Sequence, residues 1–147
     1  MNKAVWRTVT VVLVLGLGIG LSRQASGQKT KGKTRLAPTL ALMQGIMNPN
    51  CTALAAVLKG EGPKSPRDWG KVEMHAAILN EMSYVLMADG RCPDKVWKGA
   101  AEDILRKSSG KILDAVKNKD AKAAQTAFKN LTNACDTCHK AHRPADE

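Results

Sequence analysis

Aromatic side chains are scarce in this chain. Its 147 residues include one Phe, one Tyr and three Trp, and Trp6 falls in an N-terminal segment of a different character. A domain of this size normally packs more aromatic bulk into its core. The interior must therefore rest on Ala- and Leu-rich helices or on a large bound group. Period-2 runs of β-branched residues are also missing beyond residue 36, which excludes a sheet-based fold. Acidic residues are few, 13 against 23 basic ones. Aromatics do not interleave with the basic residues, so nucleic acid is not an expected partner. No arrangement suggests a general base, a nucleophile or a substrate pocket, so an enzyme is not expected.

The N-terminus has the layout of an export signal. Lys3 and Arg7 precede an apolar run over 9–21, and small residues follow, with Ala25 and Gly27 ahead of a cut before Gln28. The run is short for a bilayer span, which needs about 20 apolar residues, so cleavage is expected rather than stable membrane insertion. No Cys lies near the cut to carry a lipid. The expected divisions are a signal peptide at 1–27, a flexible basic linker at 28–35 ("QKTKGKTR") and one domain at 36–147. Without Lys3, Arg7 and Arg23 the chain keeps 20 basic residues against 13 acidic, a formal +7. Such a charge favours acidic partner proteins. The expected location is periplasmic or otherwise exported.

Four stretches carry a helical stripe. Leu36, Leu40, Met43, Met47, Cys51, Leu54 and Leu58 step by 4, 3, 4, 4, 3 and 4. "NPN" at 48–50 predicts a kink or a restart capped by Asn48. The second stripe is Trp69, Val72, Ala76, Leu79, Ser83 and Leu86, widened by Ile78, Met82 and Val85. The third holds Trp97, Ala101, Ile104, Leu105, Ile112 and Val116, with Pro93 as its expected first helical residue. Asp120 is the expected cap of the fourth, whose stripe is Ala124, Phe128, Leu131, Cys135, Cys138 and His142. Short connections between four helices predict an all-α, antiparallel up-down-up-down bundle.

The last helix contains "NACDTCHKAHR" over 133–143, with Cys135, Cys138 and His139 as Cys-x-x-Cys-His. A redox dithiol usually opens a helix after a strand, where the helix N-terminus lowers a thiol pKa; this pair lies deep in its helix. A structural zinc site needs four ligands. His142 could be the fourth, but Cys51 and Cys92 supply no second well-spaced pair. The third chemistry is covalent haem attachment. Two thiols at i and i+3 can add to the vinyl groups along one haem edge, and the following His can reach the iron. Attachment outside the cytoplasm agrees with the export signal.

An exported four-helix chain with this motif in its last helix resembles the class II c-type cytochromes, the cytochrome c prime family. The resemblance covers roughly 36–143. It implies one covalently bound haem c near the C-terminal end of the last helix, held by Cys135 and Cys138 with His139 as an axial ligand. Arg143 matches the family Arg that packs near the haem. His142 stands where the family usually has an aromatic. Relatives often dimerise through their first two helices, so a homodimer is one form this implies.

The family divides by the other axial position. Low-spin members use a Met of the first helix and carry electrons; high-spin members leave the position free of protein and bind small gases. Bundle geometry sets the haem level with 36–47, 82–90 and 93–100. Met43 is the expected axial ligand and Met47 the alternative, although a Met on a helical stripe is commonly a core filler. Met82, Leu86 and Trp97 are expected to line the pocket, with Met87 a remote ligand candidate. His75 is expected away from it, as a satisfied or partly exposed His, and His142 near the haem edge or in solvent. Cys51 and Cys92 are placed about 15 Å apart along the bundle, beyond disulfide reach unless Pro49 bends the helix sharply; otherwise Cys51 is a small buried thiol. The expected function is single-electron transfer. A gas-binding protein for nitric oxide or carbon monoxide is the alternative, and a zinc-stabilised interaction module a remote one.

Overall fold

The computed structural model describes residues 31–143. The expected signal peptide, the first residues of the linker and residues 144–147 lie outside the described part. Among the described residues the regular structure is helical, apart from one isolated bridge between Lys31 and Pro38. None of these helices is long and apolar enough to cross a membrane.

Four helices form the bundle. The first, α1, runs through Thr39–Leu42, a widened π-helical turn at Met43–Met47, and Asn48–Leu58. Helix α2 is Pro66–Met87 and ends in a 3₁₀ turn, Ala88–Gly90. Helix α3 joins Lys95–Lys98, a second π-helical stretch at Gly99–Arg106, and Lys107–Lys117. Helix α4 is Ala121–His142. α1 packs along α2, α2 along α3 and α3 along α4, whereas α1 and α4 meet over a smaller area.

Local chemistry explains most helix ends. Ser65 and Asp68 form a reciprocal capping box at the start of α2, with Pro66 in the first turn. Asp120 caps α4 by accepting from the Ala123 N–H at 2.9 Å. Asp94, not Pro93, starts α3: its Oδ1 accepts from the Trp97 N–H at 2.9 Å, which puts Pro93 before the cap.

Helix α1 departs from expectation twice. It begins at Thr39 after an extended Pro38, so Leu36 lies before the helix and is 80% exposed. A residue preceding proline is driven out of the helical region, and Ala37 occupies that position. The break expected at 48–50 is also absent. Asn48 is helical, with φ −61° and ψ −50°, and the chain continues through Pro49. The adjustment falls one turn earlier. Proline has no N–H to donate and crowds the carbonyl four residues back, here that of Gly45, and Gly45 lies inside the widened turn. Asn50 helps to hold this turn by donating from Nδ2 to the Ile46 carbonyl at 2.8 Å.

The core follows the remaining stripes. Leu54, Val72, Ala76, Leu79, Ile112, Ala124 and Leu131 are fully enclosed. The linker residues that are described are tied to the end of α2. The Asp89 carboxylate accepts from the Thr34 N–H and Oγ1 and from the Arg35 N–H, and the Asp89 carbonyl accepts from the Lys33 N–H. Asp89 and Gly90 both have positive φ, 59° and 77°; glycine carries this at little cost, and Asp is among the residues that tolerate it best. Arg91 is buried beneath, and its Nη1 donates to the Ala37 carbonyl at 2.9 Å.

Candidate functional site

Cys135, Cys138 and His139 lie on the last turns of α4, where the α4 stripe turns toward α1 and α3. Two adjoining hollows meet at this point. An inner one of about 40 Å³ is walled by Leu86, Trp97, Ala100, Ala101, Leu105 and Ala134 together with both motif cysteines. An outer cleft of about 570 Å³ runs between α1 and α4, from Leu40 to Cys51 on one side and from Leu131 to Arg143 on the other. Met43, Met47, Cys135 and His139 border both. The seam where α1 and α4 pack least is therefore the seam that holds the motif.

The structure brings together most of the residues singled out in the sequence. Met43 is half-buried and Met47 is 7% exposed; both face the cleft. Leu86 and Trp97 wall the inner hollow. Arg143 borders the outer cleft. Met82 does not line it. It is buried in the core instead, one helical turn before Leu86 on α2. Met87 is half-buried and also off the cleft. His75 is a satisfied histidine, with Nδ1 2.9 Å from Asn50 Oδ1.

His142 departs most from expectation. It is neither solvated nor at the cleft. It is 4% exposed and stacks edge-on against Trp97, with ring centroids 5.5 Å apart and planes at 77°. This is the favoured geometry of an aromatic pair, with the imidazole as one of its two rings. Its Nε2 lies 3.3 Å from Asp94 Oδ1, close enough for an ion pair but without the alignment of a hydrogen bond. Trp97 is fixed from its other side, donating from Nε1 to the Leu86 carbonyl at 2.8 Å.

The electrostatics distinguish the site's donors. Burial, followed by the charge of Arg143, lowers the His139 pKa below the usual imidazole value. The ring thus keeps a free lone pair at neutral pH, the form that binds metals. Burial pushes the Cys138 thiol up to about 11. Cys51, half-buried on α1, interacts directly with Cys135. That contact lowers Cys51 to about 7 and, with burial, pushes Cys135 upward. Cys135 also donates to the Leu131 carbonyl at 3.7 Å. All four cysteines are free thiols, and Cys92 donates to the Asp94 carbonyl at 3.4 Å rather than facing Cys51.

Several features were not anticipated from the sequence. Ala100, Ala101 and Ala134 leave the space beside the cysteines, and small residues at cleft level were the available signal. The two widened turns both border the site: Met43–Met47 supplies its α1 wall, and Ala100, Ala101 and Leu105 lie within Gly99–Arg106. Such turns are rare and recur at functional sites. Among the described residues no three His, Cys, Asp or Glu side chains are grouped to hold a metal ion by themselves. His142, the fourth ligand considered for zinc, is engaged with Trp97 and Asp94.

The chain matches no protein-family model, no curated protein and no solved structure. The functional reading therefore rests on the residues themselves.

Proposed function

We propose that this chain is an exported monohaem c-type cytochrome that transfers single electrons between redox proteins. The observation that carries the reading is the convergence of Cys135, Cys138 and His139 on one cleft, faced by the thioethers of Met43 and Met47. The donor set suits haem. Two thiols at helical i, i+3 spacing, Cys135 and Cys138, would provide the covalent attachment, and the neutral His139 imidazole and a thioether from α1, Met43 first and Met47 as alternative, would hold the iron. The cleft volume lies in the range of cofactor sites, and its walls are mostly apolar. In this reading the bundle is antiparallel, up-down-up-down, with haem c near the end of α4.

Bound haem supplies a one-electron iron couple, and thioether ligation raises its potential. The chain's own residues keep water out and fix the site. Trp97 and Leu86 close the inner wall. Arg143 offers a cation at the cleft mouth, and the basic surface favours acidic partners. Nothing in the site offers substrate chemistry, so the proposed role is that of a carrier.

One observation favours a second reading. The inner hollow of about 40 Å³ is apolar and large enough for a diatomic molecule. If neither Met binds iron, the chain is a gas-binding haem protein. A pyridine haemochrome assay on the exported protein tests covalent haem, and its absence would overturn both readings. The visible spectrum of the reduced protein then separates them. A sharp low-spin spectrum unchanged by carbon monoxide supports the carrier. A high-spin spectrum with rapid carbon monoxide binding supports the gas binder. Met43→Ala should convert low spin to high spin; if only Met47→Ala does so, Met47 is the ligand.

A further inference from the structure

Cys51 is the one cleft residue with reactive chemistry that haem attachment leaves unused. Its neighbour is not Cys92 but Cys135, one of the two attachment thiols. The Asn48–Leu58 part of α1 comes within backbone contact of α4. Both thiols border the outer cleft, and the two side chains interact directly. A disulfide needs its Cα atoms within about 7 Å, and packed neighbouring helices can meet that. We propose that Cys51 is the disulfide partner of Cys135 in the haem-free exported chain, so that this bond must be reduced before haem can be attached.

This rests on the cytochrome reading for its purpose, though not for its geometry. The bond forms by exchange with a disulfide-bonded oxidant, such as oxidised glutathione or an oxidised dithiol protein. The Cys51 thiolate attacks one sulfur of the oxidant, forming a mixed disulfide and expelling one thiol. Cys135 then loses its proton, attacks the Cys51 sulfur and expels the second thiol. Two protein thiols become one disulfide, and the oxidant disulfide becomes two thiols. The lowered Cys51 pKa, about 7, makes it the thiol that attacks first near neutral pH.

The bond would have two consequences. It would stitch α1 to α4 across the weakest seam of the bundle, holding the haem-free chain folded while the cleft is empty. It would also withhold Cys135 until a reductant releases it. Once Cys135 is consumed by haem, Cys51 has no partner and returns to a free thiol.

The test is a thiol map of the whole exported chain, produced without haem-attachment machinery. The reduced protein is treated with oxidised glutathione, blocked with N-ethylmaleimide and digested without reductant. A peptide pair joining Cys51 to Cys135 is expected, with two of the four cysteines, Cys92 and Cys138, alkylated. A Cys135–Cys138 bond, a Cys51–Cys92 bond or four alkylated cysteines would each overturn the proposal. Cys51→Ser should leave Cys135 alkylated, and should remove the need for reductant in covalent haem attachment. A pyridine haemochrome assay on the co-expressed protein reads the other question separately. Disulfide without haem under attachment conditions leaves this pairing standing and overturns the cytochrome reading; haem with Cys51 unpaired in the haem-free chain does the reverse.

Discussion

Replacing His142 tests whether a ring or a charge is needed beside Trp97. The side chain is 4% exposed, and its ring meets Trp97 edge-on at 5.5 Å. An aromatic pair of this kind contributes about 0.5–1.5 kcal/mol beyond its buried area. Truncating a buried ring to Ala also leaves a cavity, and phenyl-sized deletions cost about 3–5 kcal/mol. Imidazole is smaller, so His142→Ala should cost about 2–4 kcal/mol in total. His142→Phe is the informative partner. It keeps the edge-on ring and removes a buried Nε2 that has no aligned hydrogen-bond partner. Such an atom costs about 1–3 kcal/mol when buried, so relieving it should offset the larger ring. The expected change for Phe is within about 1 kcal/mol of zero. Urea unfolding measures both. With a slope of about 2 kcal/mol per molar urea, Ala should lower the midpoint by about 1–2 M and Phe should barely move it. If Phe costs as much as Ala, the Asp94 pairing holds this corner and the ring argument fails.

Three further outcomes follow from the packing. Leu131→Ala, at a fully enclosed position, should cost about 2–5 kcal/mol, whereas Leu36→Ala, at a position 80% exposed, should stay within about 0.5 kcal/mol; chemical denaturation separates them. Asp89 has its carboxyl pKa held below the usual value by the Arg35 N–H first and then by Thr34. The clamp's contribution is therefore present above the ordinary carboxylate pKa and lost as pH falls through the lower folded value; Asp89→Asn should flatten that part of an acid-unfolding curve and speed hydrogen exchange at the Thr34 and Arg35 amides. Ala134→Leu should fill the space beside Cys135 and Cys138 and sharply reduce covalent haem, read by the haemochrome assay, while the far-UV circular dichroism of the chain stays helical.

Much of the fold was legible because α2, α3 and α4 are amphipathic in the ordinary way. Trp69, Val72, Ala76, Leu79, Met82, Ser83 and Leu86 are all buried as their spacing requires. Periodicity alone does not say where a helix begins, and Leu36 shows it. Pro38 was the local signal that α1 starts later. That late start is part of why Cys51 was misplaced. Counting from Leu36 set the cleft opposite residues 36–47; the structure sets the α1 wall at 40–51. A start three residues later moves the wall by about 4.5 Å at 1.5 Å per residue, nearly one turn. Cys135, Cys138, His139, Met43 and Met47 were readable because thiol, imidazole and thioether chemistry is rare on a helical stripe. His142 was not, because its burial depends on Trp97, a residue remote in sequence and on another helix.

The widened turn at Met43–Met47 takes up one residue more than an α-helical turn would hold. The segments before and after it therefore keep a common phase, and the surplus is absorbed inside the turn. Deleting Gly45 would restore α-helical pitch without re-aiming the rest of α1. Met43 and Met47 would then stand three residues apart, still neighbours on one face of the helix. The surplus residue thus sets the spacing of the two thioethers along the cleft, not the face on which they stand.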